Sequence, residues 1–114
     1  MEQPLAPYSV CNLAAVNLAA MANKETKTVN FDQLKQTVKV GVRMQDNVID
    51  ATPYFLEENK TQALGERRVG LGVMGLHDLL IYCEAEYGSE QANQLVDQVF
   101  ETIAVAAYEE SVEL

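Results

Sequence analysis

The chain has 114 residues, of which 48% are hydrophobic, and a formal net charge of −9, so it is long enough for one domain with a modest core. An acidic chain repels phosphate, which argues against unaided nucleic-acid binding, and no apolar run approaches the roughly 18 residues that would span a membrane. The first residues carry no basic stretch followed by an apolar run, so we expect no signal peptide. The sequence thus predicts a cytoplasmic location, with two cysteines that are reduced thiols or redox-active.

The first 30 residues contain few strong patterns. Pro4 and Pro7 favour an extended start, because proline has no backbone donor and disfavours helix in the residue before it. Residues 8–13 are compatible with a short strand, and the Ala- and Leu-rich residues 14–22 predict a short helix. Residues 23–30 are polar and typical of a turn.

Residues 31–50 have the pattern of a long amphipathic helix. Asn30 is a good N-cap, and Pro53 ends the pattern because it cannot continue a helix. Gly41 weakens the helix locally and indicates a close crossing with another element. The apolar side consists of residues at helical spacing: Phe31, Leu34, Val38 and Val42, with Met44, Val48 and Ile49 further along.

Residues 67–82 are the most strongly patterned stretch of the chain. Gly70 and Gly72 alternate with larger apolar residues, and this period of two predicts a strand. Gly75 interrupts the alternation, and the apolar residues after it recur at spacings of three and four, which indicates an amphipathic helix. Cys83 continues that stripe and is best interpreted as a small buried hydrophobic residue.

Two more helical segments complete the predicted elements. Residues 55–64 predict one or two turns, closed by Gly65, and Ser89 is an N-cap for a last helix over residues 90–114. The nine acidic residues and the absence of basic ones in residues 69–114 indicate a solvated helical face. The last helix shows no stop signal, so we expect a fragment of a longer chain. Its predicted buried stripe contains Leu95, Val96, Val99, Phe100, Ile103, Ala107 and Val112.

The residues offer few candidates for chemistry by themselves. Residues 70–75 match GxGxxG, but no buried strand precedes the first glycine, so a dinucleotide site is not favoured. His77 and Asp78 are neighbours on a helix and point to different sides, so they do not make a base with its orienting carboxylate. Cys11 lies in a polar, extended context, where a structural thiol would be the default interpretation.

Five stretches, in order along the chain, resemble the catalytic (large) chains of ribonucleotide reductases. The likeness is nearest to the adenosylcobalamin-dependent and related bacterial branches. The stretches are residues 2–18 (EQPLAPYSVCNLAAVNL), 46–50 (DNVID), 67–75 (RRVGLGVMG), 87–90 (YGSE) and 107–111 (AYEES).

This resemblance implies thiyl-radical reduction of ribonucleotides. In the family, the cysteine of an NPCGE motif carries the thiyl radical that takes the 3′-hydrogen, and the glutamate of that motif is the general base on the 3′-hydroxyl. Two further cysteines supply reducing equivalents and become a disulfide, which thioredoxin or glutaredoxin reduces. Glu2 aligns with the glutamate, and Cys11 aligns with one cysteine of the redox pair. The implied radical source of the whole enzyme is adenosylcobalamin or a separate radical-generating subunit, with no cofactor or metal expected in this fragment.

The same alignment indicates a partial enzyme. The thiyl cysteine would precede residue 1, Met1 stands at the position of the motif's glycine, and Cys83 matches no catalytic position. We therefore expect residues 1–114 to form a single fragment of the reductase barrel that is inactive alone.

The expected fold is α+β and mostly helical, with three main helices and about two short strands, as a slice of the family's ten-stranded α/β barrel. Strands without neighbours have exposed edges, so we expect them to bind the remaining reductase segments or a second copy of the chain. The alternative from another class is a small acidic helical interaction module without catalysis. A nucleotide-binding domain is a third and weaker hypothesis.

Overall fold

The structure, a computed structural model, describes residues 4–114 and contains four helices and four strands within that range. The predicted mostly helical composition is confirmed. In chain order the elements are β1 (Asn12–Asn17), a 3₁₀ turn (Leu18–Met21), β2 (Ala22–Asn23), β3 (Thr28–Val29), α1 (Phe31–Ala51), α2 (Glu57–Glu66), β4 (Val69–Met74), α3 (Leu76–Tyr82) and α4 (Glu90–Glu113).

The fold is organised around a parallel pair of strands. Strand β1 pairs with β4 in a register that runs from Asn12 opposite Val69 to Asn17 opposite Met74. Parallel strands cannot be joined by a tight hairpin and need a crossover, which here contains α1 and α2. This is the connection found in α/β proteins, and it agrees with the barrel slice that the resemblance implies.

Helix α1 forms as its sequence pattern predicts. The Asn30 side chain accepts a hydrogen bond from the Gln33 backbone N–H at 3.0 Å, and the helix ends with the extended residue Thr52 before Pro53. The predicted close crossing at Gly41 is confirmed, since a Cβ atom there would lie 3.3 Å from the Leu71 side chain of β4. Helix α1 therefore covers one face of the sheet.

The core lies where α1, α3 and α4 meet the covered face of β1 and the 3₁₀ turn. Cys83 belongs to it, which confirms its interpretation as a small buried hydrophobic residue. The buried members of this cluster are Val16, Leu18, Met21, Leu34, Val38, Leu79, Cys83, Val99, Ile103 and Ala106.

Charged side chains add to the packing of α1 against α4. Lys35 and Lys39 each pair with Glu109 at 3.1 Å, and Arg43 pairs with the buried Glu110. The Lys39 contact holds the pKa of the Glu109 carboxyl below its usual range. Part of the acidic second half therefore faces the basic side of α1 rather than solvent alone.

The prediction for residues 8–22 was wrong in its boundaries. The strand is Asn12–Asn17 rather than residues 8–13, and the only helical part of residues 14–22 is the single 3₁₀ turn Leu18–Met21. Alanine favours a helix locally, but pairing with β4 satisfies the backbone of this stretch, and that tertiary contact prevails. The polar turn predicted over residues 23–30 is the connection of the β2–β3 hairpin.

The later boundaries agree more closely. Ser89 caps α4 by accepting from the Ala92 N–H at 3.1 Å, as predicted. Gly65 does not close α2, because the helix continues to Glu66 and ends at Arg67 in the left-handed conformation (φ 47°). Helix α3 has only seven residues, so α1 and α4 are the two long helices of the described chain.

The buried stripe of α4 differs from the predicted one in both directions. Phe100 and Val112 are exposed, whereas Ala92 and Ala106 are buried beside the core. Within residues 4–114, no helix is both long and apolar enough to cross a membrane.

Candidate functional site

Cys11 lies immediately before β1 and is half-buried. Its thiol donates a weak hydrogen bond to the Asn12 carbonyl oxygen, with the sulfur 3.7 Å away. A Cβ atom at Gly70, on the neighbouring strand, would lie 3.4 Å from the same sulfur. The thiol therefore rests over a position where β4 has no side chain. Glu2, the predicted general base, lies outside the described residues.

An open groove of about 340 Å³ adjoins Cys11. It runs between the start of β1, the end of α1 and the start of α2, and its walls combine apolar and polar side chains. Among the residues that line it are Cys11, Val48, Pro53, Tyr54, Asn59 and Arg68. The Asn59 side-chain N–H donates to the Tyr8 carbonyl oxygen at 2.7 Å, and this bond holds the segment before Cys11 against α2.

A charged network includes Arg68, one of the residues that line this groove. Ser9 Oγ and Arg68 Nε donate to the same carboxylate oxygen of Glu66, at 2.7 and 2.8 Å. These two donors hold the pKa of the Glu66 carboxyl below its usual range, with the Ser9 bond as the larger cause. The network thus ties the chain before Cys11 to the residues that lead into β4.

Arg67 joins two of the motif stretches, DNVID and RRVGLGVMG. Its Nε donates to Asp46 Oδ1 at 2.8 Å, and its Nη1 and Nη2 donate to the two carboxylate oxygens of Asp50 at 2.9 and 3.1 Å. The Arg67 bonds lower the pKa of Asp50, and the two carboxylates raise the pKa of Arg67 above its usual range. The end of α1 and the start of β4 are therefore held together by charge-assisted bonds.

Gln45 is a site residue that the sequence analysis missed. Its buried Nε2 donates to the Asn12 and Gly70 carbonyl oxygens, both at 3.0 Å, and so bridges β1 and β4 beside Cys11. In return, Asn12 Nδ2 donates to the Gln45 carbonyl oxygen at 3.2 Å. A signal for this role exists in the sequence, because Gln45 falls between Val42 and Ile49 on the apolar stripe of α1, where a polar residue is unexpected.

The two faces of the β1–β4 sheet differ in what covers them. Side chains alternate along a strand, and the alternate residues Val16, Leu71 and Val73 lie against the core. On the opposite face, Leu13 is 71% exposed and Met74 is also exposed. Each of these strands also has a single partner among the described residues. We call the second side, with Leu13, Ala15, Gly70, Gly72 and Met74, the open face.

The remaining candidates do not join the site. Cys83 and Cys11 are both free thiols, and burial raises the pKa of the Cys83 thiol. His77 packs against Tyr87, with ring centroids 5.4 Å apart. The first two glycines of the GxGxxG match lie inside β4 rather than in a loop before a helix, which is the position that a phosphate cradle requires.

The parallel β1–β4 pair with its helical crossover is the connection from which α/β barrels are built, which agrees with the predicted slice of such a barrel. The whole chain, residues 1–114, matches the family described as ribonucleotide reductase, barrel domain. The chain therefore belongs to that family, and the predicted resemblance is confirmed.

Curated relatives are similar over nearly all of this chain. The vitamin B12-dependent ribonucleoside-diphosphate reductase of Thermoplasma acidophilum is 40% identical over 102 residues, which cover 90% of this chain and 13% of that protein. The ribonucleoside-diphosphate reductase large chain of Cryptosporidium parvum is 41% identical over 93% of this chain and 13% of its own length. The vitamin B12-dependent enzyme of Mycobacterium tuberculosis is 40% identical over 94% of this chain and 15% of its own length. This chain thus corresponds to a small part of each relative.

Proposed function

We propose that the chain is a segment of a ribonucleotide reductase catalytic barrel in which Cys11 is one of the two reducing cysteines. The observation that carries this proposal is the position of the thiol: half-buried, at the start of a parallel strand, and beside a groove. A thiol in this setting is accessible to a second sulfur while the strand behind it restricts its movement. Glu2, nine residues earlier, is the proposed general base on the substrate 3′-hydroxyl.

The proposed redox step consumes two thiols for each ribonucleotide. The substrate loses its 2′-hydroxyl as water and receives hydrogen in its place, while two sulfurs lose two electrons and two protons and become a disulfide. A dithiol such as thioredoxin or glutaredoxin then reduces that disulfide by thiol–disulfide exchange. Cys83 is not the second sulfur, because it is buried in the core among α3 and α4.

The isolated 114-residue chain should therefore form no deoxyribonucleotide. A disulfide requires two sulfurs whose Cα atoms lie within about 7 Å, and Cys83 in the core does not meet Cys11 at the groove. We propose that the remaining barrel segments of a reductase, or a second copy of the chain, bind along the exposed strand edges and the open face. The unpaired edges of β1 and β4 and the exposed Leu13 support this binding.

The radical source that we propose for the whole enzyme is adenosylcobalamin, which the names of two relatives indicate, or a separate radical-generating subunit. The residues described here do not fit a cobalamin, because the complete cofactor, with its side chains and nucleotide tail, is far larger than the 340 Å³ groove. No step of the proposal is assigned to that cofactor in this chain. We further propose a cytoplasmic enzyme, in keeping with its two free thiols and the reducing conditions of that compartment.

A chimeric enzyme tests these roles. The chain would replace the matching stretch of the Thermoplasma acidophilum relative, and deoxyribonucleotide formation would be measured with thioredoxin as the reductant. Glu2→Gln should lower turnover by about 10² or more, the usual size of a general-base contribution. Cys11→Ser should allow the radical to form but stop multiple turnover, so the two variants should fail at different steps.

Cys83→Ala is the matched control, since it removes a thiol that has no proposed redox role. Its chimera should turn over at the parental rate once its folding has been checked by circular dichroism. Full multiple turnover of the Cys11→Ser chimera would contradict the reductase role. A chimera that forms no deoxyribonucleotide even with the parental segment would instead favour the alternative, a helical interaction module without catalysis.

A further inference from the structure

Gln45 uses both hydrogens of its side-chain amide on the two strands of the sheet. A primary amide nitrogen has two N–H donors, and here Nε2 lies 3.0 Å from the Asn12 oxygen of β1 and 3.0 Å from the Gly70 oxygen of β4. The side chain is 1% exposed, so water does not compete for these carbonyl groups. The amide orientation follows from its partners, because two carbonyl oxygens can accept only from an amino group.

The two backbone groups held by Gln45 are the ones that surround the Cys11 thiol. The Asn12 oxygen that accepts from Gln45 also accepts from Cys11 Sγ. Gly70, whose oxygen is the second acceptor, is the residue whose Cβ position lies 3.4 Å from that sulfur. The two Gln45 hydrogen bonds thus fix the backbone on either side of the thiol and do not involve the sulfur itself.

This arrangement has a cost that an apolar side chain would avoid. Within residues 4–114, the Oε1 atom of Gln45 is buried and has no hydrogen-bond partner, and an unpaired buried acceptor is unfavourable. Methionine has a similar length and would fill the same position on the apolar stripe of α1. Unlike methionine, the amide of Gln45 joins β1 and β4 through two hydrogen bonds.

We infer that Gln45 is a positioning residue for Cys11. By holding Asn12 and Gly70 at a set separation, it sets the depth and direction of the sulfur, and disulfide chemistry depends on both. The catalytic significance of this positioning rests on the proposed redox role of Cys11. The structural part of the inference concerns the thiol alone, and it can be measured without substrate.

The test is alkylation of the native 114-residue chain with iodoacetamide, with the rates at Cys11 and Cys83 measured separately by mass spectrometry. Gln45→Met should raise the rate at Cys11 on the order of tenfold, because two hydrogen bonds that restrain its neighbours are lost. The rate at Cys83 should not change. Val42→Ala is the matched control, since Val42 is buried one turn earlier on the same helix.

The ratio of the two rates separates positioning from general destabilisation. A less stable protein exposes the buried Cys83 more often through global opening, whereas the half-buried Cys11 already reacts in the folded state, so Val42→Ala should not raise the ratio of Cys11 to Cys83 reactivity. An unchanged Cys11 rate in a folded Gln45→Met protein would overturn the inference, and so would an equal rise in the ratio for Val42→Ala.

Asn12→Ala provides a second variant in case Gln45→Met does not fold. It removes the bond from Asn12 Nδ2 to the Gln45 carbonyl at a half-buried position, and it should raise the Cys11 rate in the same direction but by less. No rise in a folded Asn12→Ala protein would then overturn the inference. Failure of the proposed function would instead appear as full turnover of the Cys11→Ser chimera, which leaves the alkylation result untouched.

Discussion

The two faces of the β1–β4 sheet have opposite environments although they are made by the same strands. On the covered face, Val16 is buried and Leu71 packs against Gly41 of α1. On the open face, Leu13 and Met74 are exposed; the Leu13 side chain lies over Gly70, and Gly72 leaves room above the strand. The covered face thus supplies the packing that stabilises this chain, whereas within residues 4–114 the open face and the outer edges of β1 and β4 are not covered by another element.

Cys11 lies at the border between these faces. Its sulfur is close to Gly70, a residue that also meets the open-face side chain of Leu13, while the bonds from Gln45 come from the covered side. The backbone around the thiol is therefore held from the covered face by Gln45, and the sulfur lies beside Gly70 of the open face.

A matched pair of leucine substitutions tests the difference between the faces most strongly. Leu34→Ala, at a fully buried position, should lower the free energy of unfolding by about 2–5 kcal/mol, through lost burial and the cavity left behind. Leu13→Ala, at an exposed position, should change it by less than about 0.5 kcal/mol. Urea denaturation followed by circular dichroism measures both, and equal losses would remove the distinction between a covered and an open face.

Two glycines of the same stretch should also behave differently. Gly75 has φ 72°, and a Cβ atom there would lie 2.9 Å from Asn17 Oδ1 and 3.2 Å from the Ala19 nitrogen. Gly75→Ala should therefore cost about 1–3 kcal/mol of stability. At Gly72, on the open face, an added Cβ meets only a carbonyl oxygen at 3.8 Å, so Gly72→Ala should be neutral or stabilising by up to about 1 kcal/mol. Thermal unfolding measures the stability of both variants, and a larger loss for Gly72→Ala than for Gly75→Ala would contradict this prediction.

The third test of the difference between the faces is self-association, which depends on the open face and on the strand edges beside it. Unpaired edges and exposed apolar side chains should make the chain associate as its concentration rises. A lysine on the open face opposes such pairing, so Leu13→Lys should weaken association by about tenfold, equivalent to about 1.4 kcal/mol. Sedimentation equilibrium measures the change, with Val40→Lys as a control at another exposed apolar position, on α1. A parent chain that stays monomeric at high concentration would count against the proposal.

The smallest expected effect concerns the charged groups at the Cys11 end of the sheet. The folded-state pKa of Asp50 is lowered by Arg67, and that of Glu66 is lowered by Ser9 and Arg68. A lowered pKa adds stability that is present above the unfolded value and is lost as the pH falls through the folded value. Stability should therefore decline slightly between about pH 5 and pH 3.

Arg67→Met should make that decline shallower, because it removes the bonds that lower the pKa of Asp50. Lys60→Met is the control, since Lys60 pairs with Glu57 at 3.9 Å on an exposed surface. An Arg67→Met protein with the parental pH dependence of its urea midpoint would show that this ion pair contributes nothing to the acid response.

Local patterns in the sequence were sufficient for several elements. The caps at Asn30 and Ser89 and the alternation in residues 69–74 each depend on neighbouring residues, so α1, α4 and β4 could be predicted well. The family followed from five short stretches that occur in order, and the comparison confirmed it. The role of Glu2 stays a prediction, as does that of Cys11.

What the tertiary structure decided was the set of contacts between residues far apart in the chain. The sequence of residues 14–17 favours a helix by composition, and pairing with the parallel strand 57 residues later makes it a strand. Gln45 is important for a similar reason, because its amide bonds to two strands that are distant from it in the sequence. Arg67 likewise pairs with carboxylates on α1 that lie far from it along the chain. Capping and periodicity are local properties of a chain, whereas strand pairing and buried polar bridges depend on which distant segments the fold brings together.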